Sequence, residues 1–389
     1  MASGAREVVR QESYGRLFLR FLRFGFLAWG GPVAQIAMIR QELVEEEQWI
    51  SQERFNRVLG VYQVLPGPEA HEMCVYFGML ARGRLGGLLA GLGFMLPGFV
   101  LMFALSWFYV HSGLSSPLFQ AVFTGVKPAV AALIVRAVHR IGQHALTDRW
   151  LWTISIAAGF ATLLNVHFLP TLVVAGLIYA LVRRVGFGTE ALHSLFLLPL
   201  ALPSPSTLAQ AAVLAPSVFG LFGSGLRAGL LTFGGAYTVI PFLQEDAVVR
   251  GQWMTNSQFL DGLALSGILP APLIIFATFV GYLGGGPLGA LALTVGVFFP
   301  AFAFTLLGHN MLEKAIDNQA LHTFLEGVTA GVVGLIAATT ITLFPEAVSN
   351  LPALIIFALS LLVLYRWHAK AAAAVVILGA GLLALILFA

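Results

Sequence analysis

Glu69, His71 and Glu72 stand directly after Pro66-Gly67-Pro68 in an otherwise apolar stretch. Carboxyl and imidazole groups withdrawn from water exchange protons near neutral pH. The three are therefore expected to act as proton-coupling residues, the simpler reading being a network that satisfies a broken helix. His71-Glu72 begins like the metalloprotease motif HExxH, but Val75 stands where the second His is required, so a metal site is not expected. Three cations share the apolar setting: Arg23, Arg227 and Lys127. A cation inside a bilayer costs at least ~2.5–3.5 kcal/mol on insertion scales, so it implies a polar cavity or a partner. The guanidinium fork matches the oxygens of an oxyanion. Arg23 and Arg227 are expected to face a central cavity and attract an anion. Lys127 and the amide of Gln63 are further candidates. Snorkelling beside Arg16 and Arg20 is the plainer role for Arg23, and an interfacial position is the plainer role for Lys127. The glycines at 223, 225 and 229 lack the dinucleotide spacing. With no Gly-rich phosphate loop and no nucleophile elbow in view, the chain is read as a non-enzyme without a cofactor.

The elements that would hold these groups are helices interrupted by Gly and Pro. Proline lacks a donor and clashes with the preceding turn, whereas glycine reaches backbone conformations closed to other residues. Gly30-Gly31-Pro32 and Pro66-Gly67-Pro68 are expected to stop one helix and start another. Gly234-Gly235 and Pro270-Ala271-Pro272 repeat the device. Free N–H groups at each new N-terminus carry partial positive charge and suit an anion.

Composition says what surrounds those helices. Of 389 residues, 58% are hydrophobic and 10% are charged. Soluble chains carry about a quarter charged residues. The mean hydropathy of +0.88 therefore points to a lipid solvent. The net charge of +3 gives no reason to invoke nucleic acid, and the single cysteine, Cys74, excludes a disulfide framework within one chain. The N-terminal residues are polar, with Arg6 and Arg10, and are expected to stay attached and cytoplasmic.

The chain also repeats itself. Arg23, Gly30-Gly31, Trp49, Phe55 and Pro66 recur as Arg227, Gly234-Gly235, Trp253, Phe259 and Pro270 at an offset of 204. The offset is 203 for Gly83 and Gly286, and 202 for Gly125 and Gly327. Basic positions of one copy fall on neutral positions of the other: Arg84 on Pro287, Arg140 on Thr342, Arg184 on Leu387. Cytoplasmic loops collect Lys and Arg, so two copies inserted in opposite directions are expected. The fold class is then an all-α polytopic membrane protein of two inverted repeats with about six helical segments each. The first two segments of each repeat are broken, and either spanning or re-entrant geometry fits. The first repeat covers 1–185, a linker crossing the membrane covers 186–216, and the second repeat covers 217–389. Expected segments in the first repeat are 14–44, 55–81, 86–110, 117–137, 150–164 and 169–183. Inverted repeats of this kind suit alternating access in secondary transporters.

The stretches FGFLAWGGPVAQI and QVLPGPEAHEMCVYFGMLARGRLGG, with Trp49 between, resemble the chromate ion transporter family. The second copy, GLLTFGGAYTVIPFL with GILPAPLIIFATFVGYLGGG, resembles it too. The resemblance runs over essentially the whole chain, as in the two-domain form of the family. It implies a multi-pass protein of a bacterial or archaeal inner membrane that expels chromate on the proton gradient or membrane potential. Sulfate has the same charge and tetrahedral shape and is the expected competitor. The residues carried over from the family motifs are Gly30, Gly31, Pro32, Pro66, Gly67, Pro68, Gly234, Gly235, Pro270 and Pro272. Trp29 stands where Phe is usual, and Ala271 replaces a glycine, which implies a stiffer second break. Alternatives are a sulfate or other oxyanion carrier and a membrane partner subunit without transport of its own. Gly87 and Gly91 form a GxxxG that permits close packing within the chain or in a homo-oligomer.

Overall fold

The computed structural model describes residues 12–113, 117–185, 216–233, 235–316, 319–367, 369 and 371–387. The expected linker therefore lies outside the described residues, apart from Pro216. The first half forms α1 (Tyr14–Phe26), α2 (Gly31–Arg40), α3 (Gln52–Val64), α4 (Glu69–Phe108), α5 (Pro117–Ala145), α6 (Arg149–Leu163) and α7 (Phe168–Val185). The second half forms α8 (Val218–Leu230), α9 (Val239–Gln244), α10 (Asn256–Gly267), α11 (Phe276–Ile316), α12 (Gln319–Ala347), α13 (Leu351–Arg366) and α14 (Ala372–Leu387). Each helix of one half has its counterpart in the other, and so do the caps. Side chains of Ser13 and Ser217 accept a free first-turn N–H of α1 and α8, those of Arg16 and Gly220. Ser51 and Thr255 do so for α3 and α10, and Asp148 and Asn350 for α6 and α13. Such oxygens satisfy backbone donors that a helix start leaves unpaired. Even the π-helical turns after α2 and α9, Gln41–Glu46 and Glu245–Arg250, correspond.

The broken helices fold back as hairpins. Ion pairs from Arg20 and Arg23 of α1 reach Glu42 beyond α2, so the two helices return to one side. In the next pair, Phe55 at the start of α3 packs on Phe77, late in the first arm of α4. At both breaks the chain thus returns toward the side it came from. α4 itself is two arms, because Arg82 (φ −146°) and Gly83 (φ 62°) leave the helical region. A positive φ of this kind is open chiefly to glycine. The arms then run side by side, with Gly78 against Gly86 and Ala90, and Val75 against Gly87 and Gly91. Gly285 and Gly286 bend α11 in the same manner. The GxxxG glycines are thus used within the chain, where Gly91 also meets Phe302 of α11.

Packing between the halves is reciprocal. α1 lies along α4, and α8 along α11. α4 and α11 cross each other. α6 and α7 of the first half pack on α12 of the second, while α13 and α14 of the second pack on α5 of the first. A self-complementary exchange of this type is the signature of a two-fold relation. Buried aromatics fill the centre, among them Trp49, Tyr62, Phe77 and Phe94 in one half and Phe242, Phe259 and Phe276 in the other. The outward faces stay apolar: Phe160, Phe219, Leu307 and Ile386 are all exposed. Among the described residues, four helical stretches, Glu69–His111, Phe119–Ala145, Leu273–Gly308 and Ala320–Ala347, are long and apolar enough to cross a bilayer. An apolar exterior over helices of this length fits a multi-pass membrane protein.

One expected boundary is corrected. The segment read as 117–137 continues to Ala145, so Arg140 sits on α5 with Arg136 and not in the loop that follows it. Ala137, Val138 and His139 between these arginines keep the helical pattern running, and no Pro or Gly interrupts it before Gly142.

Candidate functional site

The tips of two hairpins from different halves touch. The Gly67 N–H donates to the Thr232 carbonyl at 2.9 Å. Gly67 belongs to the tip between α3 and α4, and Thr232 to the tip between α8 and α9. The chain turns here because Pro66 and Pro68 deny it helical hydrogen bonds. Gly67 takes φ +152°, and Pro66, Gly67 and Pro68 are all buried. At the other tips Gly30 and Gly31 hold φ of 87° and 77°, Pro32 opens α2, and Gly235 holds φ of 117°. Gly234 lies outside the described residues. Pro270 and Pro272 are buried, and Pro272 caps a short 3-10 turn, Leu273–Ile275.

Glu69, His71 and Glu72 occupy the first turn of α4, immediately beyond the Gly67 tip. Their amides are partly bound already, those of His71 and Glu72 by the Pro68 carbonyl. Carboxylates at this end of a helix meet the positive end of its dipole. His71 and Glu72 are fully buried, and Glu69 is 8% exposed. Glu69 Oε2, both Glu72 oxygens and both His71 ring nitrogens lack a hydrogen-bond partner. Buried polar atoms nearly always have partners, and leaving one without costs ~1–3 kcal/mol. Five such atoms beside one tip mark a place built for something other than stability. The His71 ring packs between Phe298 and Phe302 of α11 at 5.0 and 4.7 Å between centroids. No group of metal-ligating side chains occurs among the described residues.

The cations are placed differently from one another. Arg23 is half exposed and pairs with Glu42. Arg227 pairs with Asp246 at 2.6 Å, and Ser224 donates to the same carboxylate oxygen. Glu42 and Asp246 are 204 residues apart, as are the arginines, so the pair is repeated whole. Each arginine thus holds a carboxylate of its own half. Arg227 Nε is buried and has no partner. Lys127 donates to Ser257 and lies 3.8 Å from Asp261, whose other oxygen accepts from the Tyr109 hydroxyl at 2.8 Å. Gln63 is exposed near the Gly67 tip.

Several of these groups were readable but unread. Glu42 and Asp246 share the offset that picked out the arginines. Asp261 is a lone acid in the run FLDGLALSG. Arg136 and Arg140 border a small cavity with Tyr237, which follows Gly235 at the second tip. Their positions on α5 depend on long-range packing that no local motif carries.

The description of the chromate transporter family matches residues 15–181 and again 219–385. A chromate transport protein of Pseudomonas aeruginosa is 58% identical over 387 residues, covering 97% of this chain and 93% of its own. A chromate transport protein of Cupriavidus metallidurans is 29% identical, covering 100% of this chain and 96% of its own. A probable chromate transport protein of Synechococcus elongatus is 31% identical over 88% of this chain and 87% of its own. No solved structure matches the chain. With the family pattern found in each half, the chain belongs to the chromate transporter family.

Proposed function

We propose that this chain is a secondary active transporter that exports chromate, or a related tetrahedral oxyanion, across a bacterial or archaeal inner membrane. The driving force is the proton gradient or the membrane potential. The names of the relatives supply the cargo. The observation that carries the mechanism is the contact of the two hairpin tips, with Glu69, His71 and Glu72 buried and unpartnered beside it. The tips present backbone N–H groups and helix N-termini to an anion. The three side chains exchange protons as the tips move. Arg23, Arg227 and Lys127 draw the anion toward the tips, each releasing its carboxylate as the anion arrives; Gln63 offers an amide. Sulfate, with the same geometry, competes.

In this reading the two halves are inverted. The Tyr365 hydroxyl and His139 Nδ1 lie 2.9 Å apart, which puts the end of α13 beside the end of α5. If α13 crosses the bilayer, the end of α12 falls on the opposite face from the end of α5. Those two helices are counterparts, so they run in opposite directions. Opposite insertion lets the halves exchange conformations and open the tips to either side in turn. A cytoplasmic N-terminus is supported by Arg82, Arg84, Arg149, Arg183 and Arg184, which would then lie on the cytoplasmic side.

The test is radiolabelled chromate flux into liposomes that contain this protein alone, with a pH gradient or potential imposed and sulfate as competitor. Saturable flux that follows the gradient is the expected result. Folded protein with no flux under any gradient overturns the proposal.

A further inference from the structure

We infer that Arg136, Arg140 and Tyr237 form the seat that selects a doubly charged tetrahedral oxyanion. The inference rests on the transport reading and names the part of the site that reads the cargo. Arg136 and Arg140 are one turn apart on α5 and so share a face. With Tyr237, Leu133, Ala137 and Ile141 they border a cavity of about 40 Å³. A water needs roughly 10–15 Å³ by this measure, so the space suits a few waters or one five-atom oxyanion. Among the described residues neither arginine holds a carboxylate. Arg20, Arg23, Arg227 and Arg250 each do. A guanidinium with no internal counter-charge keeps its paired N–H donors for a ligand.

The cavity borders the second-half tip. Tyr237 follows Gly235 in the second-half tip. Arg136 and Arg140 share the cavity wall with Tyr237. Arg140 is exposed and Arg136 half-buried, so an ion can reach them from water. The other half has no equivalent: Ala338 and Thr342 stand for the arginines and Val33 for Tyr237. One charged seat on a duplicated scaffold is what a single cargo ion needs. Two guanidinium forks and a phenol hydroxyl offer donors on several sides of a dianion, and a monovalent ion such as nitrate leaves part of that charge uncompensated.

The competing account is that these arginines only set orientation, as cytoplasmic basic residues do. Lysine separates the two, because it keeps the charge and loses the fork. The experiment compares wild type, R136K, R140K, the double lysine variant and Y237F in liposomes. Chromate flux and sulfate inhibition are measured, together with calorimetric chromate binding in detergent. Expected are unchanged orientation by protease accessibility and a KM raised about tenfold to a hundredfold in the double variant, the range for losing a charged hydrogen bond. The sulfate inhibition constant rises in parallel, and maximal flux changes little. Wild-type flux with an unchanged KM in the double variant overturns the seat and leaves the transport reading standing. Absence of wild-type flux overturns the transport reading, and calorimetry then decides the seat by whether wild type binds chromate more tightly than the variants. If the double variant fails to fold, the single lysine variants decide by the same criterion.

Discussion

Ala271 lies against Gly98 so closely that a Cβ on Gly98 would come within 2.5 Å of the Ala271 Cβ. The repeat-related contact has the sizes reversed: Gly67, counterpart of Ala271, faces Ala301, counterpart of Gly98. Each crossing of a hairpin tip with a long helix therefore holds one glycine and one alanine. The expectation that Ala271 stiffens the second tip changes accordingly. Its methyl is accommodated by a glycine on the opposite helix, and Ala271 is not among the residues with positive φ.

Gly98→Ala should therefore jam the second crossing and destabilise the fold by about 1–3 kcal/mol, the usual cost of overpacking. Combining it with Ala271→Gly should restore most of the loss. Thermal unfolding in detergent measures both. A double variant no better than the single would show that the two residues are not coupled. Gly67→Ala should not be rescued by Ala301→Gly, because φ of +152° and the nearby Glu72 Oε1 remain.

The two repeated ion pairs should differ in weight. Arg23 is half exposed, and exposed pairs contribute about 0–1 kcal/mol. Asp246 is 5% exposed and also accepts from Ser224, so Asp246→Asn removes a buried counter-charge. Breaking such a pair costs up to ~3–5 kcal/mol, less here because Arg227 is partly open to solvent. Asp246→Asn is thus expected to lower the unfolding temperature clearly more than Arg23→Gln, which breaks the exposed pair and leaves the Arg20–Glu42 pair in place. Equal shifts would mean that the burial of Asp246 carries no weight.

How much of this was legible follows from range. The repeat, the Gly and Pro breaks and the apolar exterior are local signals, and they locate α1 to α4 and α8 to α11. The bends at Gly83 and Gly286 were visible as glycines but not as folds, since an isolated glycine does not reveal its φ. Arg23 and Arg227 were legible as paired cations, whereas their partners Glu42 and Asp246 lie 19 residues on, across a helix break that no local pattern bridges. The exchange of α6, α7 and α13, α14 between halves depends on packing across some two hundred residues of chain. Arg136 and Arg140 come to lie beside Tyr237 because α5 runs on to Ala145, and that contact joins residues about a hundred apart in the chain.

Lys127 and Asp261 offer a test of role against structure. Asp261 is 3% exposed, and its Oδ1 has no hydrogen bond. Either single neutral variant, Lys127→Gln or Asp261→Asn, leaves one charge buried and should express poorly. The double variant removes both charges and should recover stability. Chromate flux should stay low in the double variant, since the cation that draws the anion is gone. Full recovery of flux would reduce the pair to a structural tie.

His167 gives a pH dependence outside the spanning segments. It lies in the turn between α6 and α7, where its Nδ1 accepts the Leu169 N–H at 3.1 Å. Burial holds its pKa below the ordinary 6.5, with the Arg250 and Arg227 charges acting the same way and Glu245 and Asp246 opposing. A histidine with a lowered folded-state pKa stabilises the fold fully above its unfolded value and progressively less as pH falls below it. Protonation would also cost α7 the acceptor at its start. Between pH 7.5 and 5, wild type should lose more thermal stability than His167→Asn, whose side-chain oxygen can still accept the amide and does not titrate. Equal losses in the two proteins would place the acid sensitivity elsewhere.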